Sequence, residues 1–235
     1  KDINFSMCGR FTLTKDKDKI AERFEIHIDP AMFSKTYNAA PSQTLPIITN
    51  TEPEQASFHK WGLIPHWAKD ESIGNKLINA RGETLTEKPS FRDAVQKRRC
   101  LVLTDGFYEW RRSGAEKKPY RITLADESLF TYAGLWESWK AEDGRDIRTF
   151  TIITTEPNEL IKHIHNRMPA ILTPEMEKVW ISDEPLEEIL HLLQPYDAKE
   201  MNAYPVSSRV NSPKNNEASL IENNQQTLFD KHEKL

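Results

Sequence analysis

The chain has 235 residues, of which 37% are hydrophobic and 29% charged, and its formal net charge is −4. This size allows one folded domain with a sizeable core, and no stretch reaches the roughly 18 apolar residues of a membrane-spanning helix. The acidic balance argues against a protein that coats nucleic acid through its overall charge, although it is compatible with local basic patches. One such patch lies between Arg81 and Arg121, where eleven Lys and Arg outnumber six Asp and Glu.

The two ends of the chain are predicted to lie outside the domain. Residues 1–6 precede a methionine and resemble neither a signal peptide nor a periodic element, so we interpret them as a tag, a read-through or a short pro-segment. Residues 212–235 are rich in Asn, Gln, Ser, Glu and Lys, a composition typical of a peripheral polar tail. The sequence therefore predicts one domain over residues 7–211.

The predicted elements begin with a helix over residues 15–24, capped by Thr14. Strands are predicted for six apolar or alternating segments: residues 45–49, 56–64, 100–110, 120–125, 129–139 and 148–155. Further helices are predicted for residues 90–98, 158–164, 174–181 and 185–193. Strands and helices do not alternate, and the sequence shows no repeat and no Gly-rich phosphate loop. We therefore expect an α+β fold with a curved, barrel-like antiparallel sheet and peripheral helices.

Cys8 directly follows Met7, so removal of the residues up to Met7 would leave it with a free α-amine beside its thiol. The ordinary pKa is about 7.7 to 8.0 for an α-amine and about 8.5 for a thiol, so both nucleophiles are partly available near neutral pH. Such a 1,2-aminothiol traps aldehydes, because the amine forms an imine and the thiol then closes a thiazolidine ring. The alternative interpretation is a small, buried, apolar cysteine close to a start codon.

The other cysteine, Cys100, lies far from Cys8 and forms no CxxC pair with it. We therefore expect neither a disulfide framework nor a cysteine-rich zinc site, and a reducing intracellular setting fits best. His59 and His66 have no ligand spacing that supports another metal site, so no metal and no cofactor are expected.

Glu109 ends a largely apolar segment and is flanked by aromatic residues, which could desolvate its carboxyl group and suit it to proton transfer. The alternative is a strand-end glutamate paired with Arg111 or Arg112. His163 and His165 lie where a predicted helix ends, and a histidine there can act as a general acid or base. Their spacing places them on different helix faces, so at most one serves a site, and a structural role is the alternative.

Trp67 and Trp110 are candidates for nucleic-acid binding. Trp110 is followed directly by Arg111 and Arg112, and Trp67 lies near a proline-containing turn. Aromatic faces next to cations are typical of single-stranded nucleic-acid binding, because bases stack on the rings while Arg and Lys hold phosphates. Ordinary core tryptophans and a solvated charged face are the alternative.

Six motifs together resemble the SOS response-associated peptidase (SRAP) family, and they occur in the family's order over about residues 7–211. The motifs are Met7-Cys8-Gly9-Arg10-Phe11, Tyr37-Asn38-Ala39-Ala40-Pro41, Trp61-Gly62-Leu63-Ile64-Pro65, Asn79-Ala80-Arg81-Gly82-Glu83, Gly106-Phe107-Tyr108-Glu109-Trp110 and His165-Asn166-Arg167-Met168-Pro169.

The resemblance implies one SRAP domain that recognises abasic sites in single-stranded DNA and shields them through a thiazolidine DNA–protein crosslink. It implies that Cys8 is the nucleophile, Asn79 an active-site asparagine, Glu109 the catalytic glutamate and His165 the catalytic histidine. It gives His163 no role. The residues that it places on the DNA-binding surface are Arg10, Trp67, Arg81 and Trp110. The short length, the single domain and the lack of nuclear signals indicate a cytoplasmic protein of bacterial or phage origin, which we expect to be a monomer associated with the nucleoid and not with a membrane.

One feature departs from this pattern, because Cys8 is not the first residue and an amide nitrogen cannot form an imine. Either the preceding residues are an artefact or they are cleaved off, and the family name records a thiol autopeptidase activity that Cys8, Glu109 and His165 could serve. Two rival functions follow. A cysteine peptidase would cleave before Cys8 without any dependence on abasic DNA, and a non-enzymatic single-stranded DNA binder would not need Cys8 at all.

Overall fold

The computed structural model describes residues 9–114 and 116–224, so Cys8 and the predicted segment 1–6 lie outside the described residues. The strands are β1 (Phe11–Leu13), β2 (Thr36–Ala39), β3 (Thr44–Thr49), β4 (Glu52–Trp61), β5 (Asn79–Arg81), β6 (Arg99–Thr104), β7 (Gly106–Ser113), β8 (Glu116–Leu124), β9 (Phe130–Lys140), β10 (Asp146–Thr155), β11 (Met168–Pro169), β12 (Ile171–Leu172) and β13 (Met201–Pro205). The α-helices are α1 (Lys17–Phe24), α2 (Arg92–Lys97), α3 (Pro174–Trp180) and α4 (Leu186–Ile189).

Five of these strands close into a barrel. β3 pairs with β4 and β6, β6 pairs with β9, and β9 pairs with β10, all antiparallel, while β10 closes the ring by pairing parallel with β4. Alternate residues point inward, so Trp61, Cys100 and Phe150 share one fully buried apolar cluster. A Cβ on Gly134 would lie 2.9 Å from Cys100 Sγ, which explains why the most crowded position of β9 is a glycine.

The helices cover the outside of the barrel. Outward-facing Leu101 and Leu103 of β6 belong to a second cluster, which also contains Ile20 of α1, Val95 of α2 and Trp180 of α3. The two faces of β6 are therefore both apolar, as expected for a strand that is buried on both sides.

A second, antiparallel sheet has the order β13–β8–β7–β1–β2. One face packs on the barrel through Phe11, Phe107 and Ile122. The opposite face is covered by residues 206–224, which we call the C-terminal strap. The fold class is thus the predicted one, an α+β domain built on a barrel-like sheet, and β10 pairs parallel with β4 and β5.

The strap differs from the peripheral tail that its composition predicts. Val210 and Leu220 of the strap are fully buried against the second sheet, and the Asn38 side-chain amide donates hydrogen bonds to the carbonyl oxygens of Ser212 and Asn215, each 3.0 Å away. Residues 212–224 therefore pack against the second sheet, and the domain boundary at residue 211 stays a prediction. Polar composition does not prevent burial where the polar atoms are hydrogen-bonded.

Two predicted elements also need correction. The segment 100–110 is not one strand, because the chain passes at Asp105 from the barrel (β6) to the second sheet (β7). Asp105 is buried there and accepts hydrogen bonds from Thr12 Oγ1 at 2.6 Å and from the Thr14 amide at 2.5 Å. The helix predicted for 158–164 is only a short 3-10 turn at Ile161–His163. No helix in the described part of the chain is long and apolar enough to cross a membrane.

Candidate active site

A cavity of about 200 Å³ opens beside the first described residue, where β1 and β7 meet the loop that precedes β11. Its lining residues are Gly9, Arg10, Glu109, Trp110, Arg112, Lys117, His165 and Asn211. Four of the eight residues predicted for the site therefore come together here. Cys8 lies outside the described residues, but its neighbour Gly9 forms part of the wall.

Glu109 lies on β7 with only 3% of its surface exposed. It is paired in register with Tyr120 of β8, and strand alternation places its side chain on the same face as that of Phe107, which is fully buried against the barrel. Its burial beside the cavity shields the carboxyl group from bulk water while leaving it within reach of a substrate.

His165 follows the turn Ile161–His163 and is held from two sides. Its amide donates to the Ile161 carbonyl oxygen at 2.8 Å, and its ring Nδ1 accepts a hydrogen bond from the Arg167 amide at 3.2 Å. In the neutral ring the proton is therefore on Nε2. His163 does not line the cavity.

Arg10 was predicted to contact DNA, but the structure places its guanidinium in a buried network, with 7% of the residue exposed. It donates hydrogen bonds to Asn38 Oδ1 at 3.0 Å and to the Val210 carbonyl oxygen at 2.8 Å, and burial lowers its pKa from the ordinary value. Arg10 thus ties the cavity wall to the strap. A direct contact with DNA stays a prediction.

Trp110 is also held by the strap, because its indole Nε1 donates a hydrogen bond to Asn211 Oδ1 at 2.7 Å. The ring is only partly buried. An indole whose orientation is fixed while part of the ring is accessible is suited to stacking against a base or a sugar.

Three of the predicted residues do not line the cavity. Asn79 and Arg81 lie on β5, which pairs parallel with β10, so that Ile152 is opposite Asn79 and Thr154 is opposite Arg81. Trp67 is 49% exposed and donates a long hydrogen bond of 3.4 Å to the Pro89 carbonyl oxygen.

The sequence indicated Arg112 only as a cation beside Trp110, and it did not indicate Lys117 or Asn211 as site residues. Arg112 and Lys117 are opposite each other across the β7–β8 hairpin, and so are Arg111 and Lys118 on the other face. Like charges directly opposite are destabilising in an antiparallel pair, so two such pairs in succession favour an anionic partner. The basic residues of this hairpin are evident in the sequence, but which of them lie opposite each other depends on the register between β7 and β8. Among the described residues no group of three His, Cys, Asp or Glu is arranged to hold a metal ion.

Comparisons with known proteins identify the family of this chain. The sequence model of the SOS response associated peptidase (SRAP) family matches residues 7–213. The abasic site processing protein YoqW of Bacillus subtilis (strain 168) is 51% identical over 222 residues, which cover 92% of this chain and 99% of that protein. The abasic site processing protein HMCES of Xenopus tropicalis is 31% identical, over 80% of this chain and 66% of its own length. A crystal structure of a protein from Bacteroides thetaiotaomicron superposes with a TM-score of 0.85 at 34% identity, covering 92% of this chain and 99% of that one.

Proposed function

Because this chain belongs to the SOS response-associated peptidase family, we propose that it processes abasic sites in single-stranded DNA by forming a covalent crosslink through Cys8. The observation that carries the proposal is the cavity, which begins at the residue next to Cys8 and is lined by Glu109, His165, Trp110 and three basic residues. A buried carboxylate, an imidazole and an aromatic ring beside basic side chains suit an anionic strand with a reactive sugar.

The chemistry requires that the α-amine of Cys8 is free. The amine attacks C1′ of the ring-opened deoxyribose, and loss of one water gives an imine. The Cys8 thiol then adds to the imine carbon, so that an S–C1′ bond forms and the thiol proton passes to nitrogen. The product is a thiazolidine, and its mass is the sum of protein and DNA less one water.

The other site residues transfer protons during this reaction or bind the DNA strand. Glu109 moves protons during imine formation and ring closure, His165 hydrogen-bonds the sugar oxygen through Nε2, and Asn79 orients the Cys8 terminus. Trp110 and Trp67 stack beside the gap left by the missing base, and Arg81 holds phosphate. To these we add Arg112 and Lys117, which line the cavity and give it positive charge.

Release of the Cys8 amine is the second activity that we propose, because the sequence carries seven residues before Cys8. The Cys8 thiol would attack the Met7 carbonyl carbon, and the Met7–Cys8 C–N bond would break as the nitrogen takes up a proton, which frees the α-amine and leaves a thioester. Water would then hydrolyse the thioester, which frees the Cys8 thiol and leaves a carboxylate on Met7. N-terminal sequencing of freshly made protein tests this step. Cleavage before Cys8 that stops in Glu109→Gln supports it, whereas unchanged cleavage in that variant contradicts it.

The crosslink is tested by intact-mass spectrometry after incubation with an abasic single-stranded oligonucleotide. The expected product has the combined mass less one water and is absent for Cys8→Ala. The same oligonucleotide with a tetrahydrofuran residue, which lacks the reactive aldehyde, is the matched control. An identical stable adduct with Cys8→Ala would contradict the proposal. Equal affinity for intact and abasic strands without any adduct would favour the non-enzymatic binder.

A further inference from the structure

Arg167 and Glu83 form a two-pronged ion pair next to the candidate active site. The Arg167 guanidinium donates to both carboxylate oxygens of Glu83, at 2.5 and 2.8 Å, and also to the Thr154 carbonyl oxygen at 2.8 Å. These hydrogen bonds hold the pKa of the Glu83 carboxyl below its ordinary value, so the pair is charged at neutral pH. Only 11% of the Arg167 side chain is exposed, so its guanidinium is occupied within the protein.

The pair joins two segments that carry predicted active-site residues. Glu83 lies two residues after β5, the strand of Asn79, and Arg167 directly precedes β11. Both strands flank β10 at the same level, because Thr154 is opposite Arg81 on one side and opposite Pro169 on the other. The ion pair therefore spans β10 and fixes the two flanking segments relative to each other.

The same residue that anchors the loop also orients the histidine. The backbone amide of Arg167 donates to His165 Nδ1, while its side chain is locked on Glu83 and Thr154. A shift of the loop that breaks the ion pair would move this amide and release the ring. Because Nδ1 is occupied by the protein's own backbone, Nε2–H is the edge left for a substrate.

We propose that Glu83 and Arg167 are positioning residues, whose ion pair across β10 holds His165 with its proton on Nε2 as a hydrogen-bond donor for the sugar. The expected effect on the crosslinking rate rests on the proposed function, whereas the expected orientation of the His165 ring does not. Two separate measurements can therefore test the two parts.

The first measurement uses the free protein. Two-bond ¹H–¹⁵N correlation spectra in mildly alkaline buffer report the tautomer of each histidine, and the His165 signals are identified by their loss in His165→Ala. We expect a dominant Nε2–H tautomer in the wild type and a mixture in Arg167→Lys and Glu83→Gln. Arg23→Lys is the matched control, since Arg23 forms an ion pair of 3.1 Å with Glu177 away from the cavity and should leave the spectrum unchanged. An unchanged tautomer in Arg167→Lys would overturn the proposal.

The second measurement compares rates and affinities. Arg167→Lys and Glu83→Gln should slow crosslinking by about 10- to 100-fold, because small displacements of a reacting group have effects of this size. Affinity for the tetrahydrofuran strand should change less than about twofold. The double variant Arg167→Lys, His165→Ala should crosslink no more slowly than His165→Ala alone. A parallel loss of affinity, or additive effects in the double variant, would show that Arg167 acts on DNA directly and would overturn the proposal. Absence of any crosslink with the wild type would instead refute the proposed function and leave the tautomer test decisive.

Discussion

The barrel interior and the strap-covered face of the second sheet are both buried, but they contain different chemistry. Inside the barrel, Trp61, Phe150 and Cys100 belong to one cluster of buried apolar side chains. Under the strap, Arg121 donates to Asp105 Oδ1 at 3.2 Å and to the Tyr204 hydroxyl at 2.7 Å. The first region gains stability from apolar burial, whereas each polar group in the second depends on a specific partner.

This difference explains where the candidate active site lies. Apolar packing tolerates small rearrangements, but a polar network fixes the relative position of segments that are remote in sequence. Arg10 links β1 to residues 200 positions away, and Asn211 holds Trp110 from the strap. The cavity lies at the edge of this network, so these hydrogen bonds fix the relative positions of the segments that line it.

The two cysteines illustrate the same contrast. Cys100 is fully buried in the barrel, and burial raises the pKa of its thiol well above the ordinary value, so it is a poor nucleophile. Cys8 precedes Gly9 at the cavity wall and is the cysteine to which we assign the chemistry.

The largest expected effect on the crosslinking rate comes from substitution of Glu109, which we compare with substitution of a second buried glutamate, Glu177. Glu109→Gln should slow crosslinking by about 100- to 10,000-fold, because it removes a group that we assign to proton transfer. The matched variant Glu177→Gln changes a glutamate that is equally buried, at 4% exposed, but that hydrogen-bonds Thr131 and Arg23 away from the cavity. Single-turnover rates on an abasic strand give the comparison. Similar rates for both variants would remove Glu109 from the mechanism.

A second prediction concerns His59 of β4, a buried titratable group whose ring lies edge-on against Trp136 at 5.7 Å. Burial lowers the pKa of His59 to about 4 from its ordinary value of 6.5. The unfolded chain therefore binds a proton first, and stability is lost as the pH falls from about 6.5 towards 4. At about 1.4 kcal/mol per pH unit, this loss amounts to about 2 kcal/mol between pH 7 and pH 5.

Urea unfolding at both pH values measures this loss. In His59→Phe the stability difference between the two pH values should shrink by about 2 kcal/mol. An identical pH dependence in wild type and His59→Phe would show that His59 titrates normally.

The sequence predicts the elements whose signals are local. The helix α3 begins at Pro174 after the capping residue Thr173, and β8 was found through the apolar residues at every second position, so both were predicted. The polar residues between them, Arg121 and Thr123, are nevertheless buried as well. The break at Asp105 was missed although Asp105-Gly106 is a turn signal, because apolar residues continue on both sides of it. The residues that hold Asp105 in place, Thr12 and Arg121, are remote in sequence.

The same limit applies to the site. Glu109 and His165 were identified through motifs, and the structure places both at one cavity. Arg112 and Lys117 required the strand register, and Asn211 lies at the edge of a segment whose composition is that of a tail. Side-chain hydrogen bonds over more than 100 residues have no local signature in a single sequence.

The smallest effect should come from the strap itself. Asn211→Ala removes the acceptor for the Trp110 indole, and a hydrogen bond of this kind contributes about 0.5 to 1.5 kcal/mol. We expect affinity for a tetrahydrofuran strand to fall by about 2- to 10-fold as the ring loses its fixed orientation. Asn216→Ala is the matched control, because Asn216 Oδ1 accepts from the Tyr37 amide at 2.6 Å and does not line the cavity. It should lose similar stability at unchanged affinity, so an equal loss of affinity in both variants would mean that the strap stabilises the fold without orienting Trp110.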